Sequence, residues 1–249
     1  WTGDGDLAEV GGNAVDPDYL RRGIGSVQIR WIIDMFREDG YTCAKVHTGL
    51  DPSHGPARAE YRNAGFSLGV TNSVYYNYLS EVADVPIKRG LRFRWSQRKD
   101  ADLVRHLARD SWATVHEDMR KAVGDEILAA AFPKIAEAKA DEYAGVVTEL
   151  PRQVRIATEE GQPAGFAVIG EDPSNGLGAL RTVAVTPELR ERGIGCSLCM
   201  DAFSLFREAG LKYARLAAGL GEVNERTRRM CWAAGLHREL PSIDYYMLL

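Results

Sequence analysis

Apolar positions fall on a helical period in two stretches of this chain: Val27, Ile29, Ile32, Ile33 and Phe36, and again Leu198, Ala202, Leu205 and Phe206. Spacing of this kind gathers them on one face and predicts two amphipathic helices. A glycine follows each, Gly40 and Gly210, where the left-handed C-terminal residue of a helix belongs. Ahead of each helix stands an apolar run that reads as a strand, Leu7 to Val15 and Leu177 to Val185, then a Pro-containing turn and a Gly-rich bend. After each come a second strand (Cys43 to Thr48; Tyr213 to Ala218), a short helix ending at Gly65 or Gly235, and an aromatic-rich strand (Ser73 to Leu79; Ile243 to Leu248). Strand, helix, strand, helix, strand is an α/β layout, called α+β in some schemes.

The two stretches are copies. Shifted by 170 positions, Val15 to Phe66 overlies Val185 to Leu236 without a gap, and 16 of those 52 positions are identical, Arg22-Gly23-Ile24-Gly25 against Arg192-Gly193-Ile194-Gly195 among them. Chance would give roughly 3. A period this long predicts two domains rather than a solenoid. The second copy carries more upstream material: a strand (Leu91 to Ser96), a helix (Ala101 to Ala113) with Asp100 as N-cap, a helical stretch (Glu117 to Ala140) interrupted at Gly124 and Pro133, and a hairpin turning at Glu160-Gly161. The expected division is a partial first domain at 1–82, a linker at 83–90 and a complete second domain at 91–249. The first copy is expected to be N-terminally incomplete: either the native chain is longer, or the first copy is a remnant and the second is the enzyme.

Composition narrows the partners. A net charge of −4 and a pI near 5.8 argue against nucleic acid, which calls for a basic face. The sequence holds no run of eighteen apolar residues, so no membrane partner is expected. Four cysteines in 249 residues do not make a disulfide framework, so a reducing, cytoplasmic setting is expected. Cys196-Ser-Leu-Cys199 is one pair where zinc wants four ligands, and no metal is expected. A helix N-terminus would lower the pKa of the first of these thiols.

The bends carry the candidate chemistry. Gly-x-Gly opening a helix leaves backbone N–H groups unpaired at the positive end of the helix dipole, which is a site for a diphosphate. Arg21, Arg22, Arg190 and Arg192 add charge. A Walker loop would need Gly-Lys-Ser/Thr, and a dinucleotide fold a third glycine where Gln28 and Leu198 stand. Val-x-Pro-x-x-x-x-Arg-Gly-Ile-Gly, with Ala57 to Phe66 downstream, resembles the GNAT superfamily of N-acetyltransferases, and Val185 to Gly195 with Asn224 to Leu236 repeats the pair. The resemblance covers nearly the whole chain and implies a tandem arrangement of two mixed-sheet units flanked by helices.

It also implies acetyl-CoA, or another acyl-CoA, as co-substrate, its diphosphate on the bend and its pantetheine along the preceding strand. The cofactor-contacting positions carried over are Ala14, Val15, Arg21, Arg22, Gly23, Gly25 and Ser26 in the first copy. In the second they are Val183, Val185, Arg190, Arg192, Gly193, Gly195, Cys196 and Asn224. Acylating an amine requires removing a proton from it and helping the thiolate depart. The family's strand glutamate and helix tyrosine fall on Glu9 and Tyr61, where the second copy has Ala179 and Cys231. The second copy instead keeps Arg190 and Asn224, where the first has Leu20 and His54. The expectation is direct acyl transfer to a primary amine of a small molecule or peptide, with the first copy catalytic. The alternative is a non-catalytic acyl-CoA-binding or scaffold protein. A monomer (a pseudo-dimer of copies) and a homodimer paired by strand exchange at Tyr245-Tyr246 both suit the duplication.

Overall fold

The computed structural model describes residues 7–249. Among these are nine strands and six α-helices in two compact units, neither continuous in sequence. One holds residues 7–72, Glu117–Lys134 and Pro241–Leu249, the other Ser73–His116 and Ile135–Leu240. The units therefore cut across the division expected at 83–90.

In the first unit, β1 (Leu7–Val10) runs parallel to β2 (Cys43–Gly49), from Leu7 opposite Cys43 to Val10 opposite Val46. The next strand is β9 (Arg238–Leu248), antiparallel to β2 and in register from Cys43 opposite Leu248 to Gly49 opposite Ser242. Then comes the start of β3 (Leu68–Tyr78). The helices are α1 (Ile24–Glu38), α2 (Gly55–Asn63) and the second half of α3 (Ala101–Ala131), which is broken at Gly124 (φ +80°). Ile29 and Ile33 of α1 pack with Val10, Val46, Tyr61 and Phe66. Burying an aliphatic or aromatic side chain of this size is worth about 1.5–3 kcal/mol.

Two expectations change here. Val27 is 59% exposed and Trp31 66%. Val27 lies two residues, about 200° around the helix, from Ile29, so both cannot face the sheet. The first strand also stops at Val10 rather than Val15. Gly11 and Gly12 follow, and β1 is an edge strand among the described residues, so nothing on its outer side extends the ladder.

In the second unit the strand order is β3-β8-β7-β6-β5-β4, with β4 (Leu91–Trp95), β5 (Val154–Glu159), β6 (Gln162–Asp172), β7 (Leu177–Val185) and β8 (Tyr213–Gly219). Its helices are the first half of α3, α4 (Ile135–Glu149), α5 (Ile194–Glu208) and α6 (Glu225–Ala233). The β5–β6 turn places Glu160 (φ +51°) and Gly161 (φ +80°) in the left-handed region, as a two-residue hairpin requires. Asp100 is not the N-cap expected of it. Gln97 caps the turn, and the Asp100 carboxylate reaches back to the Gln97 N–H and pairs with Arg94 at 2.7 and 2.8 Å. Arg155 of β5 makes a bidentate pair with Asp201 of α5 (2.7 and 2.9 Å) under the Trp95 ring.

Each unit is closed by a strand from the other repeat. β9 ends the second repeat but pairs with β2 of the first. β3 ends the first repeat but lies beside β8, with the Tyr78 and Tyr213 rings 4.8 Å apart. Tyr245 and Tyr246, expected to offer a strand for exchange between chains, are paired with Val46 and Lys45 of the same chain.

Candidate active site

In the second unit a cleft forms where two parallel strands part. β7 pairs with β8 only from Leu177 opposite Tyr213 to Leu180 opposite Leu216. Beyond Leu180 it continues to Val185, held on its other side by β6, with Gly165 opposite Val185. Residues 181–185, Val183 and Val185 among them, thus show an ordered strand edge that no strand faces among the described residues. The chain then turns through Pro187–Leu189 and passes Glu191 (φ +61°) and Gly193 (φ +79°) into α5. Ser197 N–H makes the first intrahelical bond, to Gly193 O at 3.0 Å. The amides of Ile194, Gly195 and Cys196 precede it, and no side chain caps them.

Arg190 Nε donates to Val185 O at 3.2 Å and ties the bend to the end of β7. Arg192 is exposed. Glu191 forms ion pairs with Arg226 (3.2 Å) and Arg229 (3.6 Å). Arg228 is committed elsewhere: its Nη1 donates to Gly219 O (2.9 Å) and Gly221 O (2.7 Å), as Arg58 does to Gly49 O and Asp51 O in the first repeat. Asn224 folds against Gly219, where a Cβ would lie 2.5 Å from its Nδ2. Met230 of α6 covers the bend, its Sδ 2.6 Å from where a Gly195 Cβ would stand.

The first repeat has the same turn but weaker support. Gly23 (φ +78°) opens α1, and Val27 N–H makes the first helical bond to its carbonyl. The amides of Ile24, Gly25 and Ser26 lie ahead of that bond. Ala14 and Val15 belong to no strand. Leu20, in the place of Arg190, is 55% exposed. Arg21 (φ +61°) is exposed, and Arg22 donates to Asp18 O at 3.2 Å and covers the Tyr19 ring. At the position of Met230 stands Glu60, whose Oε2 would lie 2.7 Å from a Gly25 Cβ.

Glu9 and Tyr61 are on opposite faces of the first unit's strands. Glu9 stands half-exposed beside Lys45 (3.0 Å), on the face of Tyr246, whereas Tyr61 is buried on the face of Val10 and Val46. The Tyr61 hydroxyl emerges beyond the end of β1 and donates to Asn13 Oδ1 at 2.8 Å. Burial, and then the Glu60 charge, push its pKa up, so it holds its proton. On Glu9's face, His47 Nδ1 lies 2.9 Å from Asp244 Oδ1, and Asn72 donates to Asp244 Oδ2 at 3.2 Å. At the repeat offset His47 and Asp244 correspond to Ala217 and Val74. His54 is bound to Asp51 at 2.6 Å; the Ser53 hydroxyl, then His54, draw that carboxyl down to about 2.

Cys231, in the place of Tyr61, is fully buried, and burial raises its thiol to about 12. Burial also raises Cys196, the opposite direction to the lowering expected at a helix N-terminus. All four cysteines are unpaired. Among the described residues no helix is long and apolar enough to cross a membrane. An open groove of about 600 Å³ lies between β4, β5 and Ile87, lined by Phe93, Arg94, Arg155 and Asp201. None of the bend residues borders it, and the cleft that matters is an open strand edge rather than an enclosed cavity.

The site is thus set in a duplicated α/β unit whose parallel strands part and lead to an uncapped helix N-terminus. The model of the acetyltransferase (GNAT) family matches residues 1–66 and 112–233, and the chain belongs to that family. Its fold is shared with a GCN5-related N-acetyltransferase from Sphaerobacter thermophilus (TM-score 0.64, 16% identity, 94% of this chain and 70% of that one). It is shared too with a tandem GNAT protein from the clavulanic acid biosynthesis pathway (TM-score 0.61, 17% identity, 98% and 76%). A third is a GNAT-family acetyltransferase from Colwellia psychrerythraea (TM-score 0.58, 10% identity, 96% and 78%). No curated protein matches the sequence.

Proposed function

We propose that this chain transfers an acetyl group from acetyl-CoA to a primary amine, with the cofactor held by the second repeat. The observation that carries this reading is the edge of residues 181–185, free on one side, held by β6 on the other, and leading directly to three unpaired amides at α5. An edge already fixed in the sheet loses little entropy on binding a pantetheine chain, and the amides suit a diphosphate. In the first repeat the matching segment, residues 11–15, has no such support. Bound acetyl-CoA supplies the activated thioester; the chain's own part is to align it against a neutral amine. Ala179 and the buried Cys231 offer no base or acid, so the amine's proton passes to water. Four unpaired cysteines suit work in a reducing cytoplasm.

A second reading keeps Glu9 as base and Tyr61 as acid in the first repeat. It is favoured by one observation, the protonated Tyr61 hydroxyl standing at the end of β1. Thiol release from acetyl-CoA, followed with a panel of small amines and peptides, tests both. The first reading expects turnover that Arg190→Ala depresses and Tyr61→Phe leaves alone; the reverse pattern selects the second. Cofactor binding with no thiol release for any amine points to the scaffold alternative.

A further inference from the structure

We infer that Glu60 closes the first repeat's bend to the cofactor, so that one chain binds one acetyl-CoA. This rests on the reading of the second bend given above and deepens it by naming what separates the copies. The two bends share their turn conformation, with Gly23 and Gly193 at φ +78° and +79° and Arg21 and Glu191 both at +61°. They share the α-helix that follows and the short helix that covers it. The residue lying over the second glycine is Met230 in one copy and Glu60 in the other, 2.6 and 2.7 Å from the space a side chain there would fill.

A thioether at that place is neutral. A carboxylate is an anion at the positive end of the α1 dipole, where it is stabilised in the absence of ligand. An incoming diphosphate would meet like charge a few ångströms away and compete for the same end of the helix. The arginines do not reverse this. Arg22 is drawn to Asp18 O and the Tyr19 ring, and Arg62, two residues beyond Glu60, lies over the Tyr245 ring. At the second bend Arg190 is anchored beside the amides, and Leu20 takes its place at the first.

The test is an exchange of the two residues, read by calorimetric titration with acetyl-CoA and by thermal melting to verify folding. The native chain is expected to bind one equivalent. Met230→Glu should weaken that site about 100-fold, the scale of one like charge at short range, while Met230→Gln, of similar size but neutral, keeps it. Glu60→Met should add a second, weaker equivalent. Two equivalents in the native chain, or Met230→Glu binding as well as Met230→Gln, overturns the inference and leaves the second-repeat site standing. No binding to the native chain defeats the underlying reading instead. A Glu60→Met protein that folds and still takes one equivalent also overturns it.

Discussion

Replacing Gly195 with alanine tests how closely α5 and α6 approach beneath the bend. The added methyl would stand 2.6 Å from Met230 Sδ and 3.7 Å from Val185 Cγ2. Gly195 is not in the left-handed region, so its backbone accepts alanine, and in a helix alanine is better than glycine by about 1 kcal/mol. Against that gain stands the overlap with Met230, and overpacking of this kind costs about 1–3 kcal/mol. The net is a destabilisation of about 0–2 kcal/mol. Removing the thioether with Met230→Ala leaves only the gain, so the double variant should show a coupling energy of about 1–3 kcal/mol. Urea unfolding of the four proteins measures it. Gly193→Ala is the control. A side chain there meets nothing within 4 Å, but φ is +79°, so it should cost about 1–2 kcal/mol, unrelieved by Met230→Ala. If Gly195→Ala costs the same with and without Met230, the close approach of the two helices is wrong.

Arg190→Ala should weaken acetyl-CoA binding about 10-fold in calorimetry, because it frees Val185 O from its tie and removes a nearby charge. Cys231→Ala should leave thiol release unchanged between pH 7 and 9, since a thiol raised to about 12 by burial stays protonated throughout; a lost limb in the pH profile would contradict this. Asp100 is held below the usual carboxylate range, first by Arg94 and then by the Gln97 N–H. The unfolded chain therefore takes up its proton at higher pH than the folded one. The stability this gives is complete above the unfolded value of about 3.9 and is lost as pH falls through the folded one. Native protein should lose more stability than Asp100→Asn between pH 5 and 2.5 in urea unfolding; equal losses would remove the carboxylate from the account.

Much of the fold was legible because the chain states it twice. The apolar run from Leu177 to Val185 predicts a strand and is one to the residue, and Gly40, Gly65, Gly210 and Gly235 all take positive φ at helix ends. Partner choice was not legible. Ser73 to Leu79 and Ile243 to Leu248 are similar aromatic strands, and nothing local says that each closes the other repeat. The early end of β1 was not legible either: Gly11 and Gly12 follow an edge strand that β2 alone supports among the described residues. The placing of residues 117–134 with the first repeat's strands, Phe132 against Tyr246 at 5.5 Å, likewise has no local signal. At the site, the glycines and Arg190 were visible as a motif. The Glu60–Met230 contrast was visible too, through the 170-residue offset, but its meaning depends on knowing that this helix position lies over the bend. His47 and Asp244 meet only because β9 lies beside β2.

The central claim is that the second repeat's bend grips the diphosphate of acetyl-CoA. A crystal structure of the native chain grown with acetyl-CoA tests it most directly. Diphosphate density is expected against the amides of Ile194, Gly195 and Cys196, with the pantetheine along residues 181–185. Density at the amides of Ile24 to Ser26 in its place, or at neither bend, would contradict it.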